Sequence, residues 1–149
     1  MDSLVIRRAT AEDVAVIVDM LVDDPLGAKR EAPGDAAYAE AFKEIEADPR
    51  QFLAVAEIGG EVVGTMQLTF IPGLSRRGST RALIEAVRVR ADQRGSGLGQ
   101  QLAEWAIDTA RARGAAMVQL TTDASRVDAH RFYERLGFVA SHVGMKLAL

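Results

Sequence analysis

A chain of 149 residues that is 48% hydrophobic and 26% charged has the size and composition of one globular domain with a buried core. Its formal net charge of −3 gives no electrostatic reason to expect a nucleic acid or an anionic membrane as a partner. Cysteine is absent, which excludes disulfides and a covalent cysteine intermediate, and the distant His130 and His142 argue against a histidine-rich metal site.

The first half of the chain predicts a strand, two helices and a long hairpin. In order, the predicted elements are a strand at 3–9, a helix at 10–24, a loop at 25–35, a helix at 35–48 and a β-hairpin at 51–71. Thr10 and Asp13 have the spacing of a capping box at the start of the first helix. In the hairpin, Gly59 and Gly60 separate two β-rich runs and tolerate the positive φ of a two-residue turn.

The second half predicts alternating strands and helices. In order, these are a polar loop at 72–80, a strand at 81–90, a helix closed by Gly114, a strand at 115–121, a short helix at 123–137 and a last strand or bent pair at 138–149. Alternation places four side chains on one face of the first of these strands: Leu83, Glu85, Val87 and Val89. This order of elements predicts an α/β fold with a hairpin-built antiparallel part and one crossover.

The chain carries no sign of a linker, a repeat or a membrane anchor. No run approaches the roughly 20 apolar residues of a membrane span, and the first residues lack a basic start followed by a long apolar core. A single domain over residues 1–149 and a cytoplasmic location are therefore expected.

Three glycines, Gly95, Gly97 and Gly99, follow the strand at 81–90 and open the next helix. A helix N-terminus has unpaired N–H groups and a partial positive charge, and glycine lets an anion approach the backbone. The turn is therefore either a phosphate cradle or a tight strand-to-helix connection. The Walker pattern fails because Gln100 and Gln101 follow Gly99, and the dinucleotide pattern fails because Gln100 stands at its third glycine.

One phosphate-binding pattern does fit. The run Arg94-x-x-Gly97-x-Gly99, between a strand and an amphipathic helix, resembles the acetyl-CoA signature of the GNAT N-acetyltransferases. The order of the remaining motifs extends the resemblance over essentially the whole chain: the opening IRRATAEDVAVI, then Ala129, Phe132-Tyr133 and Gly137-Phe138. The resemblance implies the GNAT fold, a mixed and strongly twisted sheet flanked by helices, with a splay between the fourth and fifth strands.

The resemblance also implies acetyl-CoA as co-substrate and no metal. The pantetheine arm would lie in the splay against the backbone at 87–89, and the pyrophosphate would lie on the amides at 94–99. The residues expected at the cofactor are Val87, Arg88, Val89, Arg94, Gly95, Ser96, Gly97, Leu98, Gly99, Gln100 and Arg126. Arg126 stands where many family members have asparagine, so it is expected either to reach a CoA phosphate or to be solvated.

Members of this family transfer the acetyl group directly from the thioester to an amine, and the resemblance assigns two residues to that chemistry. Glu85 is the expected base; because a free glutamate has a pKa near 4.3, it would act through desolvation or an ordered water. The alternative is a glutamate at a bulge or strand edge that pairs with Arg81 or another arginine. Tyr133 is the expected acid for the departing sulfur, and the alternative is core packing beside Phe132. An N–H of Val87 or its neighbour is expected to stabilise the oxyanion.

The acceptor is expected to be an amine of a small molecule or peptide, selected by the loops at 23–35 and 72–80. Arg76, Arg77 and Arg81 either recognise an anionic group on it or form a solvated cluster. Two further functions stay open: a catalytically idle acyl-CoA-binding sensor or regulatory module, and an acyltransferase with a different acyl-CoA donor. Because the family often forms dimers, a homodimer is also an expectation.

Overall fold

The computed structural model describes residues 3–149. The chain forms two compact units, the first ending at Gln119 and the second spanning Leu120–Leu149. Each unit is described by itself below. The assignment of one domain to the whole chain stays a prediction.

A five-stranded mixed sheet forms the centre of the first unit. Its strands are β1 (Leu4–Arg8), β2 (Gln51–Ile58), β3 (Glu61–Pro72), β4 (Thr80–Val89) and β5 (Met117–Gln119), and they lie in the order β1-β2-β3-β4-β5. The first four pair antiparallel and β5 runs parallel to β4, which confirms the predicted hairpin and crossover. Gly59 and Gly60 turn the hairpin with φ of 59° and 81°, as their permissive backbone predicts.

In residues 3–149, six α-helical segments and two 3₁₀ turns, Ala11–Asp13 and Ala91–Gln93, accompany the strands. Two of the six α-helical segments lie in predicted loops. The segments are α1 (Val14–Val22), α2 (Gly27–Arg30), α3 (Ala37–Ala47), the single turn α4 (Ser75–Gly78), α5 (Leu98–Ala112) and α6 (Val127–Arg135). The loop predictions at 25–35 and 72–80 are therefore wrong over α2 and α4. Four-residue segments are too short for an apolar period to reveal them, and α4 is left-handed at Arg76 and Arg77, with φ of 54° and 63°.

Helices cover both faces of the sheet. On one face, α5 packs so closely that a Cβ at Gly64 would lie 3.1 Å from Leu102 Cδ1, and Leu68 and Ile84 are buried there. On the other face, α1 and α3 pack over β2 and β3. The buried side chains of these helices are apolar, among them Ile17 and Val18 of α1, Phe42 of α3 and Leu102 of α5.

Strand β4 contains a bulge in front of its last residues. Gln67 pairs with Glu85 while Thr65 pairs with Arg88, so two steps along β3 oppose three steps along β4. Ala86 lies in this bulge with φ of 53°. The extra residue puts Arg88 on the face of Glu85, so the prediction that Val87 and Val89 share that face is wrong.

The ladder between β4 and β5 is short. It joins Arg81 to Met117, Ala82 to Val118 and Leu83 to Gln119, and it ends there. Within the described part of the first unit, residues 84–89 therefore have no strand partner on this edge. A gap of this kind between parallel neighbours is the predicted splay.

The second unit contains α6 and the chain that follows it. Gly137, with φ of 100°, ends the helix region as predicted. Residues 138–149 form no strand, so the predicted last strand or bent pair is wrong. Their apolar side chains remain exposed: Val139, Val143, Met145, Leu147 and Leu149. Alternating apolar residues favour a strand only where another strand supplies its hydrogen bonds.

An ion-pair network fixes the start of α1 to β1. Arg7 donates two hydrogen bonds to the Asp13 carboxylate, at 2.7 and 3.1 Å, and two more to Glu57. The amide of Thr10 donates to Asp13 Oδ2 at 2.7 Å, which confirms the capping box. The hydrogen bonds from Arg7 outweigh burial and lower the pKa of Asp13.

We expect Asp13→Asn to destabilise the folded chain at neutral pH by about 1–3 kcal/mol, because it leaves Arg7 without this charged acceptor. A lowered folded pKa stabilises the fold above the unfolded pKa, and that contribution disappears as the pH falls through the folded value. The difference between parent and variant should therefore shrink below about pH 4. Urea unfolding at a series of pH values measures it. Asp108→Asn, on the exposed side of α5, is the control; a pH-independent difference would contradict the assignment.

Candidate active site

The glycine turn lies open at the start of a long helix. Gly95 and Gly97 have φ of 83° and 87°, and a Cβ built on either would meet nothing within 4 Å. Gly97 is the N-terminal cap of the 15-residue α5. Both predicted properties, left-handed backbone and room for an approaching group, are present.

Some backbone amides of the turn are engaged and others are not. The amides of Arg94 and Ser96 donate to the carbonyls of Ala91 and Gln93, at 3.4 and 3.3 Å. In residues 3–149, five neighbouring amides donate to no other group: Gly95, Gly97, Leu98, Gly99 and Gln100. These five are the donors that an anion at this helix N-terminus would meet.

The side chains of the turn point to other partners. Leu98 is buried in the core, and Gln100 donates to Glu104 at 2.9 Å along the helix. Arg94 reaches back to Asp23, with its Nη2 at 3.2 Å from the carbonyl oxygen and 3.3 Å from Oδ2. An anion in this turn is therefore contacted first by backbone amides.

Arg88 occupies part of the predicted pantetheine edge. Its guanidinium lies 2.8 Å from the Asp24 carboxylate and donates to the carbonyl of Val87, also at 2.8 Å. The Val87 carbonyl thus already accepts one hydrogen bond, and its second lone pair is the one left for a ligand.

Glu85 lies next to the β4 bulge, directly before Ala86. Its side chain is exposed, and among residues 3–149 it forms no ion pair. The alternative pairing with Arg81 is not observed, because the Arg81 guanidinium donates instead to Gln119 Oε1 at 2.9 Å. A carboxylate that no cation holds, beside an open strand edge, is available to an incoming amine.

An apolar cavity of about 120 Å³ lies on the same side of the sheet as Glu85, and its lining includes Gln67, which pairs with Glu85. Its lining comes from α1, α3 and the sheet: Val14, Ile17, Val18, Leu21, Tyr38, Ala41, Phe42, Ile45, Leu53, Thr65, Gln67 and Ala86. Sequence reasoning missed it because the helical periodicity of these residues indicates only a face turned toward the core. It placed acceptor selection in loops instead.

The second unit holds the remaining candidates. Tyr133 is half-buried, and its ring makes edge-on contacts with Phe132 and Phe138 at centroid distances of 5.0 and 5.6 Å. Arg126 is exposed at the start of α6. His130 Nε2 lies 3.1 Å from the carbonyl oxygen of Asp123. Glu85 and the glycine turn therefore belong to the first unit, and Tyr133 and Arg126 to the second.

Residues 3–149 contain neither a metal-binding cluster nor a membrane-spanning helix. No group of three or more histidine, aspartate or glutamate side chains among them is placed to hold a metal ion. None of the helices in residues 3–149 is long and apolar enough to cross a membrane.

The family model of the acetyltransferase (GNAT) family matches residues 14–138, and the chain belongs to this family. The match spans the bulged strand, the glycine turn and most of the second unit. It confirms the resemblance expected from the motifs. The mixed sheet with its parallel β4 and β5 matches the fold of a putative acetyltransferase from Agrobacterium tumefaciens, which is 28% identical with a TM-score of 0.85 and covers 97% of this chain and 99% of that one.

Two curated proteins and one solved structure are similar to this chain in sequence. Aminoalkylphosphonate N-acetyltransferase of Salmonella typhimurium is 34% identical over 148 residues, covering 97% of this chain and 90% of that protein. L-methionine sulfoximine/L-methionine sulfone acetyltransferase of Pseudomonas paraeruginosa is 33% identical over 115 residues, 74% of this chain and 64% of that protein. The crystal structure of a transcriptional regulator from Bacillus halodurans C-125 is 49% identical, with a TM-score of 0.96, and covers 99% of this chain and 100% of that one.

Proposed function

We propose that the protein is an acetyl-CoA-dependent N-acetyltransferase that transfers the acetyl group directly to a primary amine of a small molecule or peptide. One observation carries this proposal: the bulged edge of β4, which β5 leaves uncovered, is followed after the 3₁₀ turn Ala91–Gln93 by a glycine turn with five unengaged amides. An extended ligand that ends in a diphosphate is complementary to that combination.

The residues of this segment fit acetyl-CoA. The edge of β4 that β5 does not cover faces the proposed path of the pantetheine arm, and the amides of Gly95 and Gly97–Gln100 offer donors to the pyrophosphate. When bound, the co-substrate supplies a thioester-activated acetyl group. Arg126 is proposed as a further contact to a CoA phosphate.

The protein's own groups then serve three needs. Glu85 takes the proton of the amine, directly or through a water, because its exposed carboxylate lies at the edge where the acyl group would end. The amide of Val87 or its neighbour donates to the carbonyl oxygen as negative charge develops there. Tyr133 donates a hydrogen bond to the departing sulfur.

The acceptor is proposed to be small. Two relatives are named for the acetylation of aminoalkylphosphonates and of methionine sulfoximine or sulfone. The cavity on the Glu85 side of the sheet is lined mainly by apolar side chains and has room for a few non-hydrogen atoms of an aliphatic group. A short amine with an aliphatic body is therefore the class that this site supports best.

A thiol-release assay tests the proposal. The protein is mixed with acetyl-CoA and, in turn, amino acids, aminoalkylphosphonates, polyamines, aminoglycosides and peptides. We expect thiol release that depends on both protein and amine, with the acetylated product identified by mass spectrometry. The same assay with longer acyl-CoA donors shows whether the protein prefers the acetyl group to a longer acyl group. Thiol release that no amine accelerates would overturn the proposal.

A second candidate is a regulatory acyl-CoA-binding module without turnover. It is favoured by the 49% identical structure from Bacillus halodurans C-125, which bears the name of a transcriptional regulator. Saturable acetyl-CoA binding by calorimetry, together with no amine-dependent thiol release, would support this candidate over the enzyme.

We expect Gly97→Val to weaken acetyl-CoA binding at least tenfold, because the new side chain occupies the space through which the pyrophosphate approaches the amides. Valine at φ of 87° also strains the backbone. Gly34 has the same φ of 87° and equally open surroundings, so Gly34→Val is a matched control for that strain. Calorimetry on both folded variants measures the difference. Equal affinities would place the pyrophosphate elsewhere.

The cytoplasmic location and the homodimer stay predictions. The homodimer is supported by the exposed apolar side chains at 138–149, which a second copy would remove from water. Sedimentation equilibrium measures the stoichiometry directly.

A further inference from the structure

The face of the sheet that carries Glu85 continues as a strip of polar side chains toward the start of β4. Strand pairing places Gln51, Thr69 and Leu83 side by side across the sheet. This row lies two residues along the strands from the neighbouring pair Gln67 and Glu85. Gln51 Oε1 accepts hydrogen bonds from Gln67 and Thr69, at 2.8 and 2.9 Å. This polar strip, as we call it, ends at Arg81 and Gln119.

Arg81 differs from the other half-buried arginines of the described chain. Arg7, Arg88 and Arg90 each bind a carboxylate at 3.2 Å or less. Among residues 3–149, Arg81 binds no carboxylate, and its side-chain hydrogen bond goes to the neutral amide oxygen of Gln119. A partly desolvated guanidinium without a counter-ion favours an anion, which it can bind through two parallel N–H groups.

The bond to Gln119 also sets the direction of the Arg81 side chain. Gln119 is paired with Leu83, two residues closer to Glu85 than Arg81 is. The guanidinium is therefore drawn along the strand toward Glu85, and two residues of strand, about 7 Å, separate the level of Gln119 from that of Glu85. In a short zwitterion with four bonds between the amino nitrogen and the anionic oxygen, these atoms are roughly 5 Å apart when the chain is extended, so both ends can be engaged once hydrogen-bond lengths are added.

We propose that Arg81, positioned by Gln119, binds the anionic group of an acceptor whose amino group lies at Glu85. The acceptor class is a short zwitterion, an amine with a phosphonate or carboxylate a few bonds away. This proposal rests on the proposed function and adds to it the group that selects the acceptor.

The other arginines singled out by the sequence do not compete for this role. Arg76 and Arg77 lie in the exposed left-handed turn α4, where solvent surrounds their side chains. A solvated arginine contributes little to the affinity for an anion. They provide the control instead.

The test measures the acetylation of three amines of similar length: 2-aminoethylphosphonate, β-alanine and n-propylamine, which carries no anionic group. Each amine is assayed with the parent protein, with Arg81→Gln and with Arg77→Gln. We expect Arg81→Gln to raise KM about 10- to 100-fold for whichever anionic amine the parent prefers. It should leave KM for n-propylamine and the affinity for acetyl-CoA within about twofold. Arg77→Gln should behave as the parent, and Arg81→Lys should restore part of the loss.

The two anionic arms distinguish a phosphonate from a carboxylate acceptor. Equal losses for amines with and without an anionic group, or no loss at all, would overturn the role of Arg81. If the parent shows no turnover, the proposed function fails, and calorimetry with the two anionic amines still decides the binding site. If the parent and Arg77→Gln bind an anionic amine and Arg81→Gln does not, the role of Arg81 is supported. If Arg81→Gln binds as tightly as the parent, or if the parent binds neither amine, the role of Arg81 is overturned.

Discussion

Tyr133→Phe should lower kcat by roughly one to three orders of magnitude and leave the affinity for acetyl-CoA nearly unchanged. The substitution removes only the hydroxyl, so the edge-on contacts of the ring with Phe132 and Phe138 persist. A phenol of pKa near 10 is not a strong acid toward a thiolate whose conjugate acid lies near 8.5. The hydrogen bond to the sulfur is thus the larger part of the effect. Steady-state kinetics with one identified acceptor measure it.

The contrasting variant is Phe138→Leu, which disturbs the same aromatic cluster without touching the hydroxyl. It should lower the melting temperature and change kcat little. Turnover of Tyr133→Phe within about twofold of the parent would leave Tyr133 as a packing residue, and solvent would then protonate the sulfur.

Glu85→Gln should reduce turnover at neutral pH by about 10²–10⁴-fold, because it keeps the size of the side chain and removes the base. An alkyl ammonium has a pKa near 10.4, so only about one acceptor molecule in a thousand is a free amine at pH 7. The deficit should shrink as the pH approaches that value and solvent deprotonates the acceptor. A pH–rate profile of parent and variant measures this, with acetyl-CoA affinity as the reference.

Glu46→Gln, on an exposed position of α3, tests whether the loss of any one surface carboxylate has the same effect. It should follow the parent at every pH. Parallel profiles for the parent and Glu85→Gln, offset or not, would contradict a role in deprotonation.

The local features of this fold were predictable from short stretches of sequence. Gly59 and Gly60 specify the hairpin turn because few other residues accept its φ values. Thr10 and Asp13 specify a helix start because the side chain of each accepts a hydrogen bond from the backbone N–H of the other. The glycine turn was also predictable from its residues, and Gly97 does adopt the left-handed conformation at the start of a 15-residue helix.

The features that require two distant strands were not predictable. Alternation along 81–90 continues without interruption, yet β4 shifts its faces at Ala86 because β3 sets the register opposite it. The hydrogen bond between Arg81 and Gln119 joins residues 38 positions apart and follows from the parallel pairing of β4 and β5. Apolar residues also alternate at 143–149, which is typical of a strand. A strand forms only where a neighbouring strand accepts and donates its hydrogen bonds, and the sequence of this segment does not show whether one is present.

The β5 strand leaves the edge of β4 uncovered beyond Leu83, and this affects how the protein behaves in concentrated solution. A strand edge that no neighbouring strand covers is a template for any extended chain, including a partly unfolded copy. An extended ligand that occupies this edge shields it and, by mass action, stabilises the folded state to which it binds. We therefore expect a ligand that covers this edge to slow self-association of the concentrated protein as well as to raise its melting temperature.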